Sequence, residues 1–290
     1  LETKLAKIQA YYRLTKPGII QGNLLMVVAG YLLASSTHIH FVSFVGVLAG
    51  TALTIGASCV VNNYIDRDID KKMARTKKRA LVQGDISARS ALVFSVVLGI
   101  AGSLTLFLCT NIRTLAVGWL GIFFYVVMYS IFKRRSVHGT LVGSVAGALP
   151  PVAGYVAFTN HFDLGALLLF LIMTAWQMTH FYAIATYRQA DYKAAGVPVL
   201  PVVKGTRETK IQMLVYCVLF IVATTLLTVY DYAGYTYMAV TVALGLWWLR
   251  ACVQGFTAKD DTIWAKSIFR KSLIILLVLS IMISLGPVLP

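Results

Sequence analysis

Apolar stretches of about twenty residues recur from one end of this 290-residue chain to the other, each long enough to cross a hydrocarbon core ~30 Å thick. Nine helical spans are predicted, at roughly 18–36, 41–63, 88–109, 113–132, 139–158, 163–185, 210–229, 235–250 and 271–288. The expectation is an all-α, polytopic membrane bundle. Composition agrees: 58% of residues are hydrophobic and 13% charged, against roughly a quarter charged in soluble domains, and mean hydropathy is +0.76. Nothing resembles a linker, so residues 1–290 read as one membrane domain.

The 26 Lys and Arg outnumber 11 acidic residues, for a net charge of +15. A nucleic-acid binder would interleave such charge with exposed aromatics; here it alternates with the spans. If the N-terminus is cytoplasmic, 25 of the 26 basic residues, Lys4, Lys7, Arg13 and Lys16 among them, fall on the inner side and only Arg113 on the outer. That asymmetry sets the expected orientation. Two long inner loops, about 64–87 and 186–209, mark the side where function is expected. A basic inner face suits an anionic substrate and a cytoplasmic leaflet.

The four cysteines, Cys59, Cys109, Cys217 and Cys252, stand singly in apolar spans without metal-ligand spacing and read as small buried hydrophobes. No cleavable leader is evident, and the absence of a transit-like start favours a bacterial inner membrane. Gly139, Gly143 and Gly147 form a GxxxGxxxG run suited to close helix packing. Pro150 and Pro151 are expected to interrupt that helix in mid-membrane, most simply as a packing kink. The second and sixth spans share a weak echo, each running into an acid-bearing loop with a basic tail.

The most informative stretch ends the second span: Asn62-Asn63-Tyr64-Ile65-Asp66-Arg67-Asp68-Ile69-Asp70. On a helix Asn62, Asp66 and Asp70 project from one face, a column of oxygen donors about 12 Å tall at ~1.5 Å per residue. Aligned carboxylates beside lipid repel one another and need a cation. Hard oxygen ligands suit Mg²⁺, which takes one or two carboxylates together with substrate phosphates. The alternative is pairing with Arg67, Lys71 and Lys72 at a solvated helix end, the better reading for Asp68. Next come Lys71-Lys72-Met-Ala-Arg75-Thr-Lys77-Lys78-Arg79, dense enough to neutralise a diphosphate. Arg75 and Arg79 share a face if that segment is helical, and are the expected substrate contacts.

NxxxDxxxD on such a helix resembles the first motif of the UbiA superfamily of intramembrane prenyltransferases. The longer text from Asn62 to Gly84 is similar to the branch of that superfamily that farnesylates protohaem. The likeness continues in Lys133-Arg134-Arg135-Ser-Val-His138, in Ala148-Leu-Pro-Pro-Val-Ala-Gly154, in Trp176-Gln177-Met-Thr-His180-Phe-Tyr-Ala, and from Asp191 to Lys204-Gly205. Relatives acting on quinone precursors usually carry Asp where this chain has Asn63. The superfamily's second DxxxD is replaced by Tyr187…Asp191, leaving one carboxylate and putting a second Mg²⁺ in doubt.

The resemblance implies a prenyltransferase using haem B and farnesyl diphosphate to give haem O and diphosphate. Asn62, Asp66 and Asp70, with Asp191 in support, would hold Mg²⁺. Arg75, Arg79, Lys133, Arg134 and Lys204 would bind the diphosphate. His180 would ligate or orient haem, with Tyr187 either beside it or merely an interfacial aromatic. His138 either reaches phosphate or does not, whereas His38, His40 and His161 read as loop residues of the opposite face. A haem A synthase or a terminal oxidase would be the natural recipient of the product, and no nucleic acid partner is expected. Two rivals remain: a relative with a quinone-type acceptor, and a transporter, which would place its charges nearer mid-bilayer.

Overall fold

The computed structural model describes residues 2–290, with side chains from residue 5 onward; the Lys4 side chain, counted above among the inner charges, lies outside the described residues. In chain order the helices are α1 (Glu2–Leu14), α2 (Pro17–Ser35), α3 (Phe41–Ile65), α4 (Arg67–Lys72), α5 (Ala80–Gln83), α6 (Ala88–Cys109), α7 (Ile112–Ile122) and α8 (Tyr129–Arg135). There follow α9 (Gly139–Thr159), α10 (Leu164–Tyr187), α11 (Gln189–Ala194), α12 (Leu200–Val203), α13 (Gly205–Val229), α14 (Tyr235–Val253) and α15 (Asp261–Leu285). A wide π-helical turn, Phe123–Met128, joins α7 and α8 into one span. Among the described residues nine helices are long and apolar enough to cross a membrane, the number the sequence predicts.

Boundaries differ where charge meets helix. The last span begins at Asp261, not near 271, and carries Lys266, Arg270 and Lys271 in its first turns. Asp260 caps it by accepting from the Thr262 and Ile263 N–H groups, at 2.7 and 3.0 Å. Hydropathy falls at such a helix end while the backbone stays helical. α13 likewise starts at Gly205 rather than 210.

The core sits around α10, whose Leu168, Leu169, Ile172 and Met178 are fully buried. α10 packs on α9, α13 and α15, and α2 packs along α9. That last contact is very close: a Cβ on Gly30 would lie 2.0 Å from the Pro151 carbonyl oxygen, and one on Gly154 would lie 2.1 Å from that of Val27. α6 faces outward, exposing Val93, Val97, Ile100 and Leu104, as a lipid-facing helix must.

One expectation about α9 is corrected. It runs unbroken through Pro150 and Pro151, both buried, because packing against its neighbours holds the turn where two N–H donors are missing. Its glycines serve close packing, as the GxxxGxxxG run predicts. Gly139 admits the backbone at Lys133, Gly143 the Tyr129 ring and Gly147 the Gln177 amide.

Candidate active site

The start of α2 and the ends of α3, α8 and α10 converge on one face of the bundle. Between them lies a cavity of about 760 Å³, within the usual ~300–1,000 Å³ of a small-molecule site. Its mouth carries Lys16, Asn62, Asp66, Asp70, Arg75 and Arg79. Its depth is apolar, with Val117, Ile122, Leu149, Met173 and Leu276 in the wall.

The acid column forms as the spacing predicts. α3 ends at Ile65 and Asp66 turns out of helical geometry, yet Asp66 N still donates to Asn62 O at 2.9 Å and Asp70 N to Asp66 O at 2.8 Å. The four-residue register therefore survives the break. All three side chains are buried, Asp66 to 1% exposure. Each accepts from a basic group: Asn62 Oδ1 from Lys16 at 2.7 Å, Asp66 Oδ2 from Lys133 at 2.6 Å, and Asp70 Oδ2 from Arg79 at 2.5 Å. Asn62 Nδ2 also donates to Asp66 Oδ2 at 3.0 Å.

Facing this column is a second one, Tyr125, Tyr129 and Lys133, again at intervals of four and all lining the cavity. The two tyrosine rings stack at 5.7 Å. Tyr125 Oη stands 3.5 Å from Asn62 Oδ1, and Lys133 Nζ lies 5.5 Å from the centre of the Tyr129 ring. Lys16 sits in the left-handed region, φ 54°, uncommon for a side-chain-bearing residue, with Pro17 starting α2 behind it. Burial pushes its ammonium down to about 8.

One acidic oxygen is left over. Asp66 Oδ1 is buried without a hydrogen-bond partner, at 3.8 Å from Arg134, too long for a hydrogen bond. An orphaned carboxylate oxygen beside an amide oxygen and a second carboxylate is a donor set that fits a hard divalent cation. No cluster of three or more His, Cys, Asp or Glu occurs among the described residues, so a cation here would need ligands from its substrate as well.

Arg75 and Arg79 both line the cavity, but residues 73–79 form successive turns rather than the helix that would align them. Arg134, Lys204 and Asp191 do not line it. Arg134 turns outward to grip Asp68 at 2.7 and 2.8 Å, holding that exposed carboxylate down at about 2. Adjacent to Lys133 on a helix, it points ~100° away. Lys204 is exposed beyond α12. Asp191 stands 3.7 Å from Arg188, and it is Arg188 that reaches the cavity wall. His138 is exposed and also outside the lining.

His180 and Tyr187 do line the cavity, one face of α10 bringing both there. The His180 ring stacks on Trp176, with centroids 4.7 Å apart, and its Nδ1 lies 2.6 Å from Ser272 Oγ. Ser272 gives its one hydrogen to Phe269 O at 2.6 Å, so Nδ1–H donates to Ser272 and Nε2 keeps a free lone pair. Asn63 has a different task from Asn62: its Nδ2 donates to Leu14 O at 2.8 Å and ties the end of α1 to α3. Lys16, Tyr125 and Arg188 line the cavity although the motifs did not name them. The interval of four shared by Tyr125, Tyr129 and Lys133 was the available signal for the tyrosine.

A buried acid column met by convergent cations at the mouth of an apolar, membrane-embedded cavity defines a class: an intramembrane enzyme for a substrate with an anionic head and a lipid-like tail. The chain belongs to the UbiA prenyltransferase family, whose sequence model matches residues 23–274. Protoheme IX farnesyltransferase of Yersinia pseudotuberculosis is 49% identical over 278 residues, covering 96% of this chain and 94% of that protein. The protein of the same name from Serratia proteamaculans is 48% identical over 279 residues, with the same coverage. Among solved structures, a digeranylgeranylglyceryl phosphate synthase superposes with a TM-score of 0.80 at 19% identity, over 98% of this chain and 99% of that one. A UbiA homologue from Archaeoglobus fulgidus bound to DMAPP and Mg²⁺ gives 0.74 at 15% identity, over 92% and 98%.

Proposed function

We propose that this protein transfers a farnesyl group from farnesyl diphosphate to a vinyl group of haem B, giving haem O and diphosphate. The observation that carries the reading is the junction of two environments in one cavity, a charged mouth at Asp66 and Lys133 and an apolar depth reaching His180. The relatives at nearly half identity supply the acceptor and the chain length.

Asn62, Asp66 and Asp70 would hold Mg²⁺, with the orphaned Asp66 Oδ1 as the free ligand oxygen. Bound there with the substrate, Mg²⁺ supplies Lewis-acid stabilisation of the charge that builds on the leaving diphosphate. Lys133, Arg79 and Arg75 would exchange their present carboxylate or solvent contacts for phosphate oxygens, and Lys16 and Arg188 add two further donors at the rim. As the allylic C–O bond breaks, the apolar walls keep water from the farnesyl cation, and the Tyr125 and Tyr129 rings offer it electron-rich faces. His180 Nε2, whose imidazole stacks on the Trp176 ring, would ligate haem iron. The basic face would be cytoplasmic in a bacterial inner membrane.

The test is direct: purified protein with haem B, farnesyl diphosphate and Mg²⁺ should yield haem O. A folded preparation that leaves haem unmodified and prenylates a quinone precursor instead would refute the acceptor assignment.

A further inference from the structure

Alkylation of a vinyl group leaves a positive charge on the vinyl carbon next to the macrocycle. That charge ends either by loss of a proton or by capture of water. In an apolar cavity water capture requires a polar group that holds one water molecule at the right place.

Gln177 on α10 meets that requirement. Its Nε2 donates to Ser144 O on α9 at 3.3 Å and to Met173 O on α10 at 3.1 Å. Only the NH₂ end of the amide can serve two carbonyl acceptors, so the group has one orientation and Oε1 points the other way. Oε1 accepts no hydrogen bond from any described residue, yet it is not among the polar atoms sealed inside the protein. Since Gln177 is part of the cavity wall, this oxygen opens into the cavity. Gly147 makes the room, because a Cβ there would lie 2.1 Å from Oε1. Gln177 also precedes His180 by three residues and shares its helix face.

We propose that Gln177 Oε1 holds the water that captures the haem-side cation, so that the product carries a hydroxyl instead of a new double bond. This rests on the haem-acceptor reading above. The C1–O bond of farnesyl diphosphate breaks and its electron pair leaves with the diphosphate. The vinyl π pair forms the new C–C bond to C1, and a lone pair of the water oxygen closes on the carbon next to the ring. The proton released from that water ends on a diphosphate oxygen. A primary amide is too weak a base to take it, so Gln177 orients the water by accepting one of its hydrogens.

The test compares wild type with Q177M and G147A, using haem B and farnesyl diphosphate and identifying products by mass spectrometry. Q177M removes the acceptor; G147A keeps the glutamine and pushes its oxygen aside. Loss of one hydrogen bond to the water should raise the ratio of dehydrated to hydroxylated product about tenfold in both variants. The dehydrated product is lighter by one water, and haem absorption spectra of the variants should match wild type. A slower reaction with unchanged product ratio in both folded variants would overturn the proposal and leave Gln177 a tie between α9 and α10. Wild type that forms no farnesylated haem would instead bring down the acceptor reading and this inference with it.

Discussion

Lys133 Nζ lies 2.6 Å from Asp66 Oδ2, with the two side chains 15% and 2% exposed. At that distance and an effective dielectric constant near 20 the attraction is about 6 kcal/mol. Removing both ions from water costs several kcal/mol each, so the pair is close to neutral as a whole, whereas one member stranded without the other costs about 3–5 kcal/mol. D66N and K133M should therefore each lower stability by about 3 kcal/mol, with the double variant losing much less than the sum. A coupling of about 1–3 kcal/mol is expected. At ~2 °C per kcal/mol for a chain of this size, each single variant should melt about 6 °C below wild type in detergent. Prenyl transfer should behave differently: all three variants should lose at least about 100-fold in kcat/KM, because both groups are proposed to act on the leaving diphosphate. Additive stability losses would refute the ion pair. Recovery of activity in the double variant would refute the catalytic placement.

The outward turn of Arg134 separates two arginines that look alike in sequence. R79A should cost about 100-fold in kcat/KM, while R134A, losing a surface pair with Asp68, should change it by no more than about fivefold; equal effects would contradict the geometry. Chelation of divalent cations should stop transfer with the haem spectrum unchanged, and added Mg²⁺ should restore it; persistent turnover would remove the metal from the column. G30A sets a methyl against the Pro151 carbonyl oxygen, and should destabilise by about 1–3 kcal/mol in thermal melts; an unaltered Tm would mean that α2 and α9 can separate freely.

The number of spans and the acid column were legible because each depends on local periodicity: length against bilayer thickness, and intervals of four on one helix face. Helix ends were less so, since Lys266, Arg270 and Lys271 lower the hydropathy of a turn that is nonetheless helical. Basic residues at the interface were legible as a set and not one by one. Lys133 and Arg134 are neighbours in sequence, and only helix rotation decides which meets Asp66 and which meets Asp68. Lys16 and Gln177 depend on contacts between segments distant in the chain, which no spacing rule reports.

The wide turn at Phe123–Met128 contains Tyr125 and precedes Tyr129 and Lys133. A π-helical turn holds one more residue than an α-helical one, so it resets the angular phase of everything that follows it. Had the span been regular throughout, Lys133 would sit ~100° from the acid it now meets. What the cavity presents is therefore partly a matter of winding: the same residues coiled as a regular α-helix would retain every side chain of the span and present the wrong one to Asp66.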